Sequence, residues 1–428
     1  MTTLKQAKRK NEAEYSLFQL LKPDVIADPY PLYRKMREYE PVHWDPYMAS
    51  WVVTSYAECV TVLSKYKAAR TPTPEHLEAM GLSVLAPYAG IMLKQILFLD
   101  GKAHAHLRSM CMAAFTPRRI EVIREAIEEC ANDLIDQVVA SGKMDLIVDF
   151  VNPFPAIVLA TLLGLPVSDS NQLKIWATDV SELIGNFEHN PDRIKQLVKS
   201  LEEIRDYLTL KITAQRSELR EGALSALVAA DVDGARLSEE EIVANAILIC
   251  AGGLEEPGNL IGCGMYSLLQ RPEQLAELRD HPEICPSAVE ELLRFEAPTQ
   301  NTGRLAPEDV VLGGKQIRKG EMVTAVVAAA NRDPLRFMEP DRLNLTRADN
   351  RHLSFGWASH YCIGAPLARL TGQAAFSALL RRLPGLTLVT TKPVWRGMAS
   401  LRGIASLQVE FDAQSAAALQ VDRFNAQQ

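Results

Sequence analysis

Cys362 lies in a loop whose composition suits a reactive sulfur. Residues 354–364 are rich in small side chains, and a helical pattern begins directly after them at Ala365. Backbone amides and the positive end of a helix both stabilise a thiolate, so this environment favours an ionised Cys362. The other six cysteines are spread widely and form no Cys-x-x-Cys pair. Each of them is therefore interpreted as a small apolar core residue rather than a metal ligand.

A pair of acidic residues lies within a long apolar segment in the middle of the chain. Glu255 and Glu256 follow Gly252 and Gly253, and Pro257 comes directly after them. Burial disfavours an ionised carboxylate, so a buried acid at this place could hold and donate a proton near neutral pH. Because proline removes a backbone hydrogen bond from a helix, Pro257 predicts a kink beside the two glycines.

The hydrophobic periodicity predicts a mostly helical scaffold for the cysteine loop and the acidic pair. Ser238 and Glu241 match the capping-box pattern, so the helix that carries the acidic pair should begin at Ser238 and run to about Gln270. Apolar residues on successive positions from 247 to 250 predict that this central helix is buried on all sides. A further helical period follows Thr116-Pro117 and extends to Val138.

Short strand signals at the two ends of the chain complete the predicted architecture. They occupy 51–54, a hairpin over 310–323 that turns at Gly313-Gly314, 322–330, 386–389 and 406–411. The fold class is therefore predicted as mainly α with a smaller β region (α+β). No linker divides the chain, so a single domain is expected over 26–412, between a polar N-terminal tail of 1–25 and a C-terminal tail of 413–428.

Composition narrows the choice of partners and compartment. The chain has 46 basic and 53 acidic side chains, for a net charge of −7, and offers no basic field for nucleic acid. No segment has the length and apolar character of a signal peptide or a membrane span, so no membrane partner is expected. The seven cysteines are an odd number and widely spread, which suggests no disulfide framework and favours the cytoplasm. Phosphate-loop, zinc-protease and serine-hydrolase motifs are absent from the sequence.

The cysteine loop resembles the haem-binding loop of the cytochrome P450 superfamily. Soluble bacterial members often read Phe-Gly-x-Gly-x-His-x-Cys-x-Gly, and Phe355, Gly356, His360, Cys362 and Gly364 match this pattern. The resemblance implies the P450 fold, with a long central helix over the haem. It also implies haem b (iron protoporphyrin IX) with Cys362 as axial thiolate, and Phe355 and Gly364 as part of the cofactor-binding loop.

One residue of the loop departs from the family pattern. Ala358 stands where the family usually has its second glycine. If this position requires a positive backbone φ, alanine costs on the order of 1 kcal/mol, and the loop is slightly strained.

The family's Glu-x-x-Arg motif occurs several times in the chain, and its position selects one copy. Only Glu291 and Arg294 lie on a short helix at the expected distance before Cys362, followed by a segment at Arg342 that resembles the family's Pro-x-Arg. The resemblance implies a buried structural network of Glu291, Arg294 and Arg342. An exposed pair three residues apart on a helix is the structural alternative.

Four further residues occupy positions where soluble family members hold the haem propionates. His104 and Arg108 lie four residues apart on one predicted helical face. Arg304 and His360 stand at the other two positions. The resemblance implies that all four bind the cofactor, whereas a solvated charge is the alternative for Arg304.

The same resemblance implies a function for the acidic pair. Glu255 matches the family's acid, and Glu256 replaces a threonine whose hydroxyl helps to deliver protons to dioxygen. Glu256 could do the work of the hydroxyl and be reprotonated through water or Glu255, which makes both residues catalytic candidates. Alternatively, Glu256 faces water, or the enzyme uses peroxide, a substrate hydroxyl or no oxygen activation.

The resemblance implies a cytoplasmic, monomeric haem-thiolate monooxygenase of secondary metabolism. It would insert one atom of dioxygen into a lipophilic substrate resembling a polyketide, terpenoid or fatty acid, since apolar residues outnumber charges over 72–98. The chain has no flavin fingerprint or iron–sulfur cluster motif, so electrons would come from a ferredoxin or flavodoxin with its NAD(P)H reductase. A peroxygenase or rearrangement enzyme without redox partners, and a non-enzymatic haem-binding or sensing protein, are the alternatives.

Overall fold

The computed structural model describes residues 13–68, 73–185, 191–218, 221–232, 234–389 and 392–427. The chain forms two compact units, each built from segments that are distant in sequence. Of the described residues, the sheet unit comprises those within 13–68, 290–362 and 395–402. The helical unit comprises the described residues within 73–289, 363–394 and 403–427.

Helices contribute most of the regular structure. The α-helices are α1 Pro23–Ala27, α2 Tyr30–Tyr39, α3 Tyr56–Lys65, α4 Pro74–Ala79, α5 Ala86–Met92, α6 Gly101–Cys111, α7 Pro117–Val122, α8 Arg124–Asp136, α9 Pro153–Leu163, α10 Ser170–Gly185, α11 Pro191–Ser217, α12 Ala223–Ala229, α13 Glu239–Leu269, α14 Pro272–Asp280, α15 Cys285–Phe295, α16 Val327–Ala330, α17 Ala365–Arg382 and α18 Ala413–Gln427. Short 3-10 turns cover Leu17–Leu21, Ser83–Leu85, Ile96–Phe98, Met112–Phe115, Val139–Ser141, Val167–Asp169, Pro282–Ile284 and Ala358–His360, and Leu146–Val151 is π-helical.

The strands are short and occur in both units. They are β1 Val42–Asp45, β2 Ser50–Val53, β3 Lys67–Ala68, β4 Lys143–Asp145, β5 Asp231–Val232, β6 Ala235–Arg236, β7 Thr302–Leu305, β8 Val310–Leu312, β9 Lys315–Ile317, β10 Met322–Ala325, β11 Thr387–Leu388, β12 Val394–Trp395, β13 Ile404–Ser406 and β14 Gln408–Glu410. The predicted fold class, mainly α with a smaller β region, is thus confirmed.

A mixed sheet organises the sheet unit. Its order over the described residues is β1-β2-β10-β7-β3, with β2 and β10 parallel and the other neighbours antiparallel. Val53, Val323 and Ala325 are fully buried and pack with α3 in one apolar cluster. The hairpin of β8 and β9 turns at Gly313 and Gly314, as expected, and both glycines have positive φ.

The central helix α13 organises the helical unit. Ser238 caps it through the predicted box, because its side chain accepts from the Glu241 amide and the Glu241 carboxylate accepts from the Ser238 amide. The helix continues through Pro257 and packs against α9, α10, α11 and α17. Most of its side chains are buried, as the apolar sequence on all faces predicts.

The structure differs from the prediction at both expected tails. Leu17 and Leu20 are buried, and Ser16 bonds to Asp45 of β1, so regular structure begins before residue 26. At the other end α18 covers most of 413–428. The single domain over 26–412 stays a prediction, and residues 1–12 and Pro72 lie outside the described residues.

Contrary to the expectation from the sequence, one helical segment among the described residues has the length and apolar character needed to cross a bilayer. It spans Leu146–Leu163, and 67% of it is buried inside the protein, as expected for a core helix.

Candidate active site

The cysteine loop in the sheet unit closes on itself and leaves the sulfur-bearing residue exposed. The Cys362 amide donates to the Phe355 carbonyl at 2.8 Å, and the Tyr361 amide donates to the Ala358 carbonyl at 3.1 Å. All seven cysteines are described, and Cys362 is the only exposed one. By contrast, burial raises the pKa of the Cys250 thiol to about 12. Exposure and a fixed backbone therefore distinguish Cys362 as the ligand-competent cysteine.

Two residues of this loop have left-handed backbone conformations. Gly356 has φ of +73° and Ala358 has φ of +54°. Glycine adopts such angles without steric penalty, whereas the Cβ of alanine makes them unfavourable by about 1 kcal/mol. Ala358 therefore has the positive φ that its place in the motif implied.

A buried ion network lies next in the sheet unit, around Glu291. Arg294 donates to both carboxylate oxygens of Glu291, at 2.7 and 2.8 Å. The Arg347 Nε lies 3.0 Å from Oε2, and the Asn344 amide and Asn350 side chain add bonds at 2.9 and 3.2 Å. The selected Glu-x-x-Arg copy is thus a buried pair rather than an exposed one, and its charges are amply hydrogen-bonded.

Arg342 does not belong to this network, so its assignment as the second arginine was wrong. Its side chain is 71% exposed and pairs with Glu339. Only its backbone carbonyl reaches the network, where it accepts from Arg294 at 3.3 Å. Arg347, whose side chain is 9% exposed, takes the expected place. Glu339, three residues before Arg342, has φ of +47°, so both arginines lie in a segment of irregular backbone.

The four residues expected to bind propionates are divided between the two units. In the helical unit, His104 on α6 is buried and Arg108 is half-buried. Burial lowers the pKa of His104, Arg108 lowers it further, and Asp100 opposes the shift, so the ring is neutral at pH 7. A neutral imidazole still has one N–H to donate.

The sheet unit holds the other two residues. Arg304 on β7 is buried and donates to the Thr302 hydroxyl at 3.0 Å and the Gly303 carbonyl at 2.8 Å. His360 is half-buried in the cysteine loop. Each unit therefore contains one histidine and one arginine of the four residues predicted to bind the propionates.

An accessible stripe runs along the middle of the otherwise buried α13. Leu248, Gly252 and Glu256, spaced four residues apart, keep accessible surface while most of their neighbours do not. Apart from the backbone of α13 itself, a Cβ added at Gly252 would have only the Glu256 Oε2 within 4 Å among the described residues, at 3.7 Å. Open space therefore lies beside the helix at Gly252, where a flat cofactor or a ligand can approach the backbone closely.

Glu255 turns away from this stripe and is fixed by α10. It is 1% exposed, and Lys174 forms an ion pair with its Oε1 at 2.6 Å. The Thr178 hydroxyl donates to the same oxygen. Glu255 is thus held in its ionised form by a cation and a hydroxyl on the neighbouring helix.

Glu256 has the opposite environment. Its Oε2 atom is fully enclosed and accepts or donates no hydrogen bond among the residues that the structure describes. Burial is the main cause that raises the pKa of Glu256 to about 8. A hydrogen bond from its own backbone amide lowers the pKa, Glu255 raises it, and Lys174 lowers it. Glu256 is therefore a protonated carboxylic acid at neutral pH.

Comparison with known proteins identifies the family. The family model described as Cytochrome P450 matches residues 60–394. The chain belongs to the cytochrome P450 family. Its enzymes use haem with a cysteine thiolate ligand.

Curated relatives match almost end to end. The polyketide biosynthesis cytochrome P450 PksS of Bacillus subtilis is 35% identical over 89% of this chain and 95% of its own length. The 6-deoxyerythronolide B hydroxylase of Saccharopolyspora erythraea is 34% identical over 91% of this chain and 99% of its own. This P450 chain is therefore similar to hydroxylases and monooxygenases along nearly its whole length.

Solved P450 structures share the fold. The crystal structure of P450BioI in complex with hexadec-9Z-enoic acid ligated acyl carrier protein has a TM-score of 0.85, with 33% identity over 91% of this chain and 99% of that one. The predicted P450 fold, haem cofactor and enzyme class are confirmed by these matches.

Sequence reasoning missed several residues of the site. Arg347, Asn344 and Asn350 complete the Glu291 network. Lys174 and Thr178 fix Glu255 from another helix. The signal for Arg347 was present, because it is the next arginine after Arg342 in the same irregular segment. No local pattern indicated Lys174, whose partner lies far along the chain.

Proposed function

We propose that this P450 is a cytoplasmic, monomeric monooxygenase whose haem iron is held by the Cys362 thiolate. It inserts one atom of dioxygen into a lipophilic small molecule by hydroxylation or epoxidation. A ferredoxin or flavodoxin and its NAD(P)H reductase supply the electrons. The observation that carries this proposal is the single exposed cysteine in a loop closed by its own amide bond to Phe355.

The surrounding residues suit the cofactor. Phe355 and Gly364 lie in the same loop as Cys362, where they would shield the sulfur and allow close approach of a flat ring. His104, Arg108, Arg304 and His360 would bind the propionate oxygens. Neutral His104 would donate one hydrogen bond, and the two arginines would supply positive charge.

Glu256 holds the transferable proton at the accessible stripe. The bound haem supplies the binding and reductive activation of dioxygen. Glu256 is protonated at neutral pH, and its enclosed oxygen has no competing partner among the described residues, so its proton is available to an acceptor beside Gly252. Glu255 keeps that proton in place, because its charge disfavours ionisation of Glu256. Reprotonation proceeds through water, because Glu255 is paired with Lys174 as a carboxylate and has no proton to give.

The relatives support a polyketide-like or fatty-acid-like substrate. PksS is named for polyketide biosynthesis, and P450BioI was solved with a hexadecenoic acid linked to acyl carrier protein. Leu248 lies on the accessible stripe and offers apolar contact to such a chain. We place this chain's substrate in the same lipophilic class.

The replacement of threonine by Glu256 favours one second candidate. A carboxylic acid in the position of the hydroxyl could assist cleavage of the O–O bond of peroxide, in which case the enzyme is a peroxygenase or rearrangement enzyme that needs no redox partner.

Turnover experiments separate the two functions. The holoenzyme is supplied either with NADPH, reductase and ferredoxin or with hydrogen peroxide, using a substrate found by its shift of the haem band. Product with the redox partners alone supports the monooxygenase, and product with peroxide alone supports the second candidate.

Coupling tests the role of Glu256 in the same assay. Glu256→Gln keeps size and hydrogen bonding but has no transferable carboxyl proton, so product per NADPH should fall and peroxide should rise. Glu256→Thr should restore part of the coupling. Unchanged coupling in Glu256→Gln would remove this residue from proton delivery.

A further inference from the structure

The charges around Glu256 do not balance. Glu255 and Glu256 are adjacent carboxyl groups on α13, and the only cation that acts on Glu256 among the described residues is Lys174. Lys174 is already engaged, since its Nζ lies 2.6 Å from Glu255. Two carboxyl groups therefore share one lysine, and the second carboxyl stays neutral only by keeping its proton.

Among the described residues, the neighbouring helices supply no further cation that acts on this carboxyl. Helices α11 and α17 carry charged residues, but the charged groups that act on Glu256 are Glu255 and Lys174. Helix α9, which packs against α13, contains no charged residue, and neither does α5. On α10, Asp179 and Glu182 are acidic and are bound by Arg193. The protein thus leaves a carboxyl whose ionised form lacks a counter-charge of its own.

Gly252 lets a ligand approach this side chain. Apart from the backbone of α13 itself, the Glu256 Oε2 is the only atom of the described residues within 4 Å of a Cβ placed at Gly252. Glu256 keeps some accessible surface although its Oε2 is enclosed, so a ligand group beside Gly252 contacts the Glu256 side chain. An ammonium group there would supply the missing counter-charge. Its attraction to the carboxylate would be strengthened by the surrounding apolar residues, because they lower the local dielectric.

We propose that the ligand site along α13 selects lipophilic molecules with a cationic nitrogen, which pairs with ionised Glu256. This rests on the proposed function only in placing the substrate along the same helix. A permanent cation displaces one proton from Glu256 to solvent. A tertiary ammonium ion brings a proton of its own, so the site still holds one proton after pairing, and proton delivery remains possible.

Two probes of equal shape test the proposal. Trimethylphenylammonium is a permanent cation that cannot ligate iron, and tert-butylbenzene is its neutral isostere. Binding to the holoenzyme is measured by calorimetry between about pH 7 and about pH 9, which brackets ionisation of Glu256. The cation should bind about tenfold more tightly at the upper pH than at the lower, whereas the affinity of tert-butylbenzene should not change. At the lower pH, cation binding should release a proton, seen as a dependence of the enthalpy on the buffer.

Glu256→Gln should abolish both the pH dependence and the proton release. Glu240→Gln is the matched control, because Glu240 is exposed at the start of the same helix and pairs with Lys94. Equal, pH-independent affinities of the wild type for both probes would overturn the proposal, as would a cation preference that persists in Glu256→Gln. If that variant does not fold, the wild-type pH series decides alone. A haem-loaded enzyme that turns over but shows no cation preference would refute only this inference, whereas loss of thiolate ligation would refute the proposed function.

Discussion

Two buried carboxyl groups of this P450, Glu291 and Glu256, have opposite environments. Glu291 accepts bonds from two arginines, one amide and one asparagine side chain. Glu256 has an enclosed oxygen that no described residue satisfies. A charge with all its partners stabilises the fold, whereas a buried carboxyl with one unsatisfied oxygen keeps a proton that can be moved. The difference distinguishes Glu291, which has a structural role, from Glu256, which can take part in proton transfer.

The largest effect is expected from breaking the Glu291 network. Glu291→Ala or Arg294→Ala leaves a buried charge without its partner, which should lower the free energy of unfolding by about 3 to 5 kcal/mol. Expression, haem content and denaturant unfolding measure the loss. Arg342→Ala is the control, since its exposed side chain should contribute less than about 0.5 kcal/mol. Normal haem content in both network variants would show that the pair is dispensable.

Arg347 should have an intermediate effect. Arg347→Ala removes one charged donor from Glu291 but leaves Arg294 in place, so a loss of about 2 kcal/mol is expected. Urea unfolding of Arg347→Ala and Arg342→Ala under identical conditions compares the two arginines directly. A larger loss in Arg342→Ala would reverse the assignment.

Local patterns account for what the sequence could predict of this molecule. The cysteine loop, the Glu291 and Arg294 pair and the capping box of α13 all depend on residues within one turn or one short loop. Arg347 was missed because the inward direction of a side chain in irregular backbone depends on the local dihedral angles. Lys174 was missed because its contact with Glu255 joins two helices. No local sequence pattern predicts how these two helices pack.

The stability of the wild type should depend on pH through Glu256. Its folded-state pKa is raised from 4.5 to about 8, so the folded protein binds the proton more tightly than the unfolded chain does. The resulting stability is fully present below the unfolded pKa and is lost as the pH rises through about 8. Glu256→Gln, which cannot ionise, should be about 1 to 3 kcal/mol more stable than wild type above that pH.

Thermal unfolding across this pH range measures the effect. The curves of wild type and Glu256→Gln should approach each other in acid and separate in alkali. Parallel curves over the whole range would mean that the carboxyl is not desolvated in the folded protein.

The smallest effect is expected in the cysteine loop. Ala358→Gly relieves a positive φ and should stabilise the protein by about 0.5 kcal/mol. Ala365→Gly, at the start of α17, is the matched control and should destabilise, because that residue is helical and buried. Calorimetric melting of both variants provides the comparison, and a lower melting temperature for Ala358→Gly would argue against strain at this position.

The most direct test of the account is the spectrum of the reduced carbon monoxide adduct. If Cys362 is the axial thiolate, freshly purified protein should show the strongly red-shifted Soret band of thiolate-ligated haem, and Cys362→Ala should lose it. Cys111→Ala is a suitable control, since that thiol is buried and burial raises its pKa. A spectrum typical of histidine-ligated haem in the wild type, or an unchanged band in Cys362→Ala, would contradict the assignment.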